Sequence, residues 1–272
     1  MIASNDNGNG DGIPPIKIAG SGAASSSRKR FYKDVTLSLL SGPQSGANRV
    51  FGVLLDGRPL RTPARSILEL PNEELAKAVA AEWAAQAGTI DPRTMPLTRV
   101  VNSALDGVRG REREVAADIV KYAASDLLCY RADRPAGLVA RQAELWDPVL
   151  EWAAAALPGR FAVVTGLVHV EQDLATRTRL AARLERLSAL HLAALHVKTT
   201  LTGSALLAYA SLEQHLSPER AWLCAHVDED WQIAQWGEDA EATVRRQARW
   251  LDFEAAGRLL TLLAKRHVGP AI

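Results

Sequence analysis

Ile67-Leu68-Glu69-Leu70-Pro71-Asn72-Glu73-Glu74-Leu75-Ala76-Lys77-Ala78-Val79-Ala80-Ala81-Glu82-Trp83 is where this chain changes its period. Up to Pro71 apolar residues recur about every second position, the spacing of a half-buried strand. After it, Leu75, Val79 and Trp83 return every fourth position, the spacing of one helix face. Asn72 stands where a side-chain oxygen can cap the first turn of that helix. The chain therefore divides into a β-rich part ending near residue 71 and a helical part from 72 onward.

Upstream, Val35, Leu37 and Leu39 alternate with Thr36, Ser38 and Leu40. Ser41-Gly42-Pro43-Gln44-Ser45-Gly46 breaks the chain, and a second apolar run covers Val50 to Leu55. Asp56-Gly57 follows, a strong short-hairpin signal. The return strand carries Leu60, and Pro59, which has no N–H to give a ladder, implies an edge position or a strand start. Ile67, Leu68 and Leu70 predict one more short strand. Residues 28–71 thus read as a small antiparallel β domain of about four strands. Residues 1–27 are rich in Asn, Gly and Ser and lack sustained apolar content, which predicts a disordered tail.

Downstream, Leu97, Val100, Val101, Ala104, Leu105 and Val108 form a full helical stripe, with Arg99, Asn102 and Asp106 off it. Val115, Ile119 and Tyr122 mark another helix. Trp146, Val149, Leu150 and Ala153 mark a fourth, with Pro148 predicting a kink or a start. Phe161 to Val170 is β-branched and reads as a strand or an extended loop. Leu180, Leu184, Leu187 and His191 predict a further helix, and Gly203 separates it from an Ala- and Leu-rich one over Ser204 to Glu213. Ser217-Pro218-Glu219 is a helix start by its capping hydroxyl, first-turn proline and acid. That helix is predicted to run to Trp236, where Gly237 ends it. Val244, Ala248, Leu251, Ala255, Leu259 and Leu262 predict the last helix, supported at its surface by Glu241 and Arg245. The fold class is α+β: a small N-terminal antiparallel β domain, then a larger all-helical domain over 72–272.

Lys plus Arg number 32 and Asp plus Glu 31 in 272 residues, so no basic excess exists to neutralise phosphates. With only Arg28-Lys29-Arg30 as a basic run, nucleic acid is not an expected partner. No apolar stretch is long enough to span a bilayer. The N-terminus lacks the basic start and apolar middle of a secretion signal, and Asp6 and Asp11 precede its first basic residue, Lys17. A bacterial cytoplasmic protein is the expectation. Cys129 and Cys224 read as free buried thiols, with no C-x-x-C spacing for zinc or redox work.

Phosphate-binding loops, nucleophile elbows and zinc-protease motifs do not occur. Cys129 lies among Leu127, Leu128 and Tyr130 with no histidine nearby, so it reads as core. His191 and His196 diverge on their helix, as do His226 and Asp228. The unusual polar segment is Asp228-Glu229-Asp230-Trp231-Gln232, continued by Gln235-Trp236-Gly237-Glu238-Asp239. Successive helical residues point about 100° apart, so the three acids diverge, with Asp228 on a face with Ala221, Ala225 and Gln232. A solvated face over aromatic anchors is one reading. A recognition surface, with acids to steer a partner and aromatics for contact area, is another. A carboxylate- or metal-dependent hydrolase using Asp228, Glu229 and Asp239 is a third, and an adaptor for a different client a fourth.

Eight strings in order then bear on the choice. They are Phe31-Tyr32-Lys33-Asp34-Val35, Leu55-Asp56-Gly57-Arg58-Pro59-Leu60-Arg61-Thr62-Pro63, Ala81-Glu82-Trp83-Ala84-Ala85-Gln86 and Met95-Pro96-Leu97-Thr98. Ser125-Asp126-Leu127-Leu128-Cys129-Tyr130-Arg131, Trp146-Asp147-Pro148 and Thr202-Gly203-Ser204 follow, and the acidic segment closes the series. Together, over residues 31 to 267, they resemble the F-type ATP synthase assembly chaperone family. The resemblance implies a small β domain joined to a larger helical one. It also implies a non-enzymatic chaperone that holds the free α subunit of the catalytic head until β arrives, with no cofactor. It implies no catalytic or metal residues, and a functional acid within Asp228 to Asp230, with Glu229 favoured. On this reading Asp228, Glu229, Asp230, Trp231, Gln232, Trp236, Glu238 and Asp239 bind the partner, and the chaperone is a monomer. The resemblance implies a position after Trp83 that is often acidic; Ala84 stands there, which puts a contact at that point in doubt.

Overall fold

A computed structural model describes residues 28–41, 49–166 and 168–264. The tail expected over residues 1–27, and most of the break after Ser41, lie outside the described residues. Arg28–Lys29 (β1) precedes Val35–Ser41 (β2) and Val50–Leu55 (β3), whose alternating residues pair antiparallel, Val35 opposite Leu55 and Leu39 opposite Phe51. Asp56 and Gly57 both take positive φ, 47° and 77°. Two successive left-handed residues give the turn whose twist matches a hairpin. It delivers Arg58–Pro59 (β4), with Leu55 opposite Arg58. The sheet order is β2-β3-β4, so Pro59 sits on the edge strand. The further strand expected at Ile67–Leu70 shrinks to two single bridges, Arg61 to Ile67 and Phe51 to Leu70. Pro59, Pro63 and Pro71 cannot donate to a ladder, which keeps this return from lengthening.

Asn72 caps Glu73–Ala84 (α1), its Oδ1 accepting from the Leu75 N–H at 2.8 Å. Leu75 and Val79 are fully buried, and α1 packs on β2 and β3. Trp83, predicted on the same stripe, is only half-buried, because it lies at the end of α1 beside Tyr32 rather than over the sheet. Thr89–Ile90 (β5) then returns to pair with β1.

The stripe from Leu97 to Val108 is buried as its spacing predicts, but it is not one α-helix. Pro96–Ser103 (α2) widens into a π-turn over Ala104–Val108. Arg99, off the stripe, is buried as well, because a later helix supplies Asp252 to it. Glu112–Ala124 (α3) leads through a 3-10 turn at Leu127–Cys129 to Tyr130–Arg131 (β6). Ala136–Ala156 (α4) carries Pro148 inside it, so the proline marks no start. Among the described residues of the run from Phe161 to Val170 there is one two-residue strand, Val164–Thr165 (β7), parallel to β6.

Leu174–Leu184 (α5) and Ala189–Thr202 (α6) replace the single helix expected through His191. Ser188 takes an extended backbone at the break, and its hydroxyl meets the His191 Nδ1 at 2.8 Å. α6 ends at Gly203 in the left-handed conformation, as its sequence predicts, and Ala205–Leu212 (α7) follows. α6 is buried nearly all round and contacts α2, α3 and α7, which is why its sequence shows little polar face. Its Lys198 is fully buried, with Nζ 3.3 Å from the centre of the Phe253 ring and no hydrogen-bond partner.

The helix expected from Pro218 to Trp236 is two helices, Pro218–Ala225 (α8) and Val227–Trp236 (α9). His226 interrupts it. Its ring stacks obliquely on Trp222 at 3.9 Å, and its Nδ1–H meets the Trp222 carbonyl at 2.9 Å. Asp228 therefore does not share a face with Ala221 and Ala225. Ala240–Ala264 (α10) closes the fold. Of its expected stripe, Ala255 and Leu259 are buried, whereas Val244, Ala248 and Leu251 are exposed. Phe253, Ala256 and Leu260 do the packing, against α6 and α2.

Candidate partner-binding site

Most of the eight strings meet each other in space, and where they meet they act as staples. The Asp56 carboxylate accepts from the Lys33 and Asp34 N–H groups at 3.0 and 2.8 Å, tying the first string to the hairpin. These backbone bonds hold its carboxyl below the usual range. Glu82 accepts from the Leu97 and Thr98 N–H groups and the Thr98 hydroxyl at 2.6 to 2.9 Å, satisfying the open start of α2. Arg131 pairs with Asp147 at 2.8 Å and lies 5.0 Å over the Trp146 ring. The Trp146 indole donates to the Cys224 carbonyl at 2.7 Å.

The tightest staple is Asp126, which is fully buried. It accepts from the Ser204 hydroxyl at 2.7 Å, the Leu206 N–H at 3.0 Å and the Leu128 N–H at 3.1 Å. Burial outweighs these donors and pushes its carboxyl up to about 6. Beside it, burial pushes the Cys129 thiol up to about 12, the opposite of what a nucleophile needs. Both cysteines are free and buried.

The acidic string is different, because it faces outward. Its three successive acids point to three neighbours, as helical geometry requires. Asp228 Oδ1 accepts from the Gln142 side chain of α4 at 2.7 Å. Glu229 Oε2 stands 3.9 Å from the His226 Nε2, whose ring burial holds below the ordinary imidazole value. Asp230 pairs with Arg246 of α10 at 2.5 Å. Trp231 lays its ring against Gly137 of α4; a Cβ there would stand 2.4 Å from the ring, so only glycine leaves room. Gln232 is exposed, and Trp236 is 84% exposed. Gly237 ends α9, and Asp239 caps α10 by accepting from the Glu241 N–H at 2.8 Å. Glu238 reaches only the Thr243 hydroxyl, at 3.5 Å.

The structure thus splits the predicted residues. Asp228, Asp230 and Asp239 hold the α4–α9–α10 corner together, and Trp231 anchors it. Glu229, Gln232, Trp236 and Glu238 remain on the surface, around a cavity of about 430 Å³ that Ile233 and Arg246 also line. With Asp228 turned to α4 and Asp230 and Asp239 to α10, these carboxylates do not converge on one point. Among the described residues no group of three or more His, Cys, Asp or Glu side chains is placed to hold a metal ion. Gln142, Gly137 and Arg246, which position the corner, carry no signal in the sequence near the acidic run. They come from α4 and α10, and only packing brings them in.

A family model described as the ATP12 chaperone protein matches residues 29–154. A crystal structure of a candidate chaperone from Agrobacterium tumefaciens is 46% identical, with a TM-score of 0.81, covering 86% of each chain. The Atp12 protein of Paracoccus denitrificans, solved by crystallography, is 38% identical, with a TM-score of 0.79, over 86% of this chain and 98% of that one. The chain belongs to the ATP12 chaperone family. This is the ATP synthase assembly chaperone family that the eight strings resemble. An aspartate-to-lysine variant of the Paracoccus protein matches equally well, at 38% identity. The mitochondrial atp12 protein of Schizosaccharomyces pombe is 25% identical over 226 residues, 78% of this chain and 75% of that protein. The family-model match stops in α4, short of the acidic string, whereas the likeness to the ATP12 structures extends over most of the chain. No helix among the described residues is long and apolar enough to cross a membrane.

Proposed function

We propose that this ATP12-family chaperone binds the free α subunit of F-type ATP synthase, prevents its aggregation and releases it to β. We propose further that it does so as a monomer in the bacterial cytoplasm, without cofactor or catalysis, and that residues 28–71 and 72–272 are its two domains. The observation that carries the reading is Trp236, 84% exposed between Glu229 and Glu238 on a chain whose Trp146 is fully buried. An indole left in water next to unspent acids fits a contact that a partner completes. A free α subunit exposes surfaces made for two neighbours, which drives aggregation. A chaperone must cover part of them yet yield to β, which favours a moderate, charge-steered interface.

Light scattering of purified α, alone and with an equimolar amount of this protein, tests binding. Scattering is expected to fall without added nucleotide. Size exclusion after adding β is expected to move α into a complex with β while this protein elutes alone. Undiminished aggregation of α overturns the reading, and stable co-elution of all three proteins overturns release.

A further inference from the structure

A second cavity, of about 700 Å³, lies in the β-rich part against the end of α1. Its apolar surface is Phe31, Leu60 and Trp83, and Arg28, Arg58 and Arg61 stand along it. The wall is built rather than incidental. Tyr32 donates its hydroxyl to the Trp83 carbonyl at 2.8 Å. Arg30 donates to the carbonyls of Tyr32, Gln86 and Lys33 at 3.0, 2.6 and 2.9 Å, fixing the segment after β1 to the end of α1. On that fixed wall Phe31 stays 62% exposed, packed by one edge on Tyr32.

Charge decides what this groove suits. Neither Arg28 nor Arg58 has an ion-pair partner among the described residues, and Arg61 donates only to the Arg65 carbonyl. The one carboxylate in the lining, Asp56, is already bonded to two backbone N–H groups. Three guanidinium groups beside a fixed aromatic surface match carboxylates alternating with apolar side chains.

We infer that this groove is a second docking site, for an acidic, apolar-rich extended segment of the client protein. The inference rests on the chaperone reading above and deepens it. The α9 corner offers unspent acids and the groove offers unspent arginines, so a client is gripped at two places of opposite charge. A misplaced surface of like pattern meets repulsion at one of them.

A short fluorescein-labelled peptide of alternating Asp and Leu or Phe is the probe, with a Lys-for-Asp counterpart as control. Anisotropy is read with the full chain. The acidic peptide is expected to bind and the lysine peptide not. The Arg28→Glu/Arg58→Glu variant is expected to lose about tenfold or more in affinity, and Phe31→Ser to weaken binding with an unchanged melting curve. Glu229→Lys, at the other corner, is expected to bind the peptide as the parent does. Equal affinity for the two peptides, or undiminished binding by the Arg28→Glu/Arg58→Glu variant, overturns the inference. So does tighter peptide binding by full-length Ile16→Asp/Ile18→Asp, which would assign the groove to the chain's own N-terminal segment. Loss of a self-associated dimer in Arg58→Glu would assign it to a second copy, and also overturns the inference. With α itself, undiminished binding by the Arg28→Glu/Arg58→Glu variant sinks the groove while the chaperone reading stands. Failure of the parent to protect α, with peptide selectivity intact, sinks the α reading and leaves the groove assigned to acidic segments.

Discussion

Asp126 and Glu229 are both acids in the strings that carry the family resemblance, yet their surroundings are opposite. Asp126 has no solvent contact and spends both oxygens on Ser204, Leu206 and Leu128. Glu229 lies half-buried on the outer corner, with one imidazole nitrogen 3.9 Å away. Removing a side chain from a satisfied buried network strands its partners, whereas changing a surface charge costs the fold little. The junction of α3 with α7 therefore carries stability, and the α9 corner is free to carry recognition.

The sharpest way to break this contrast is at the junction. Asp126→Ala leaves a buried hydroxyl and two buried N–H groups without an acceptor. A loss of roughly 3 kcal/mol or more is expected, read as a large fall in denaturation midpoint. A melting curve like the parent's would mean the junction is no staple.

Lys198 extends the comparison to a buried amine that has the Phe253 ring face beside it but no hydrogen-bond partner. Burial pulls its amine down to about 7, and the attraction of Glu219 opposes this only in part. Lys198→Met keeps the volume and drops the charge, so a gain of about 1 to 3 kcal/mol is expected at neutral pH. The unfolded chain holds this proton up to its ordinary value near 10.5, and the folded chain releases it near 7. Between those values the unfolded state binds more protons, so the parent gains stability as pH rises. The advantage of Lys198→Met is expected to shrink over the same window. A gap that stays constant from pH 7 to pH 10 would show that the lysine is not the cause.

At the corner the effects on folding are smaller and those on binding larger. Gly137→Ala is expected to push Trp231 off α4. The better helix propensity of alanine, worth about 1 kcal/mol, offsets part of the disturbance, so near-parent melting with weaker binding of α is the expected pattern. Glu229→Lys is expected to change stability by less than about 0.5 kcal/mol, while slowing association with α in stopped-flow mixing. Association unaffected by reversing Glu229 and Glu238 together would reduce the corner to a solvated face.

Much of this was legible because it is local. Asn72 as a cap, Asp56-Gly57 as a hairpin turn, Gly203 as a helix end and the Ser217-Pro218-Glu219 start each depend on residues a few positions apart. The period change at Pro71 separates strands from helices for the same reason. The break at His226 was not legible, because the ring contact with Trp222 that accompanies it is invisible to an apolar count. The stripe Val244, Ala248 and Leu251 misled for a related reason: periodicity tells which residues share a face, not whether anything packs on it.

Sequence by itself determined the order and kind of the main elements, the family, and the acidic string as the segment to watch. The tertiary structure alone decided which signature residues are staples and which are surface. Trp146 and Trp236 are the same residue type on helices, one fully buried and the other 84% exposed. The difference lies in what faces them. A carbonyl from α8 and the Arg131 guanidinium meet the first, while the second stands at the end of α9 beside the turn into α10. Burial is set by partners brought in from tens of residues away. Each partner's position depends on the packing of the whole core, so no local pattern can encode it.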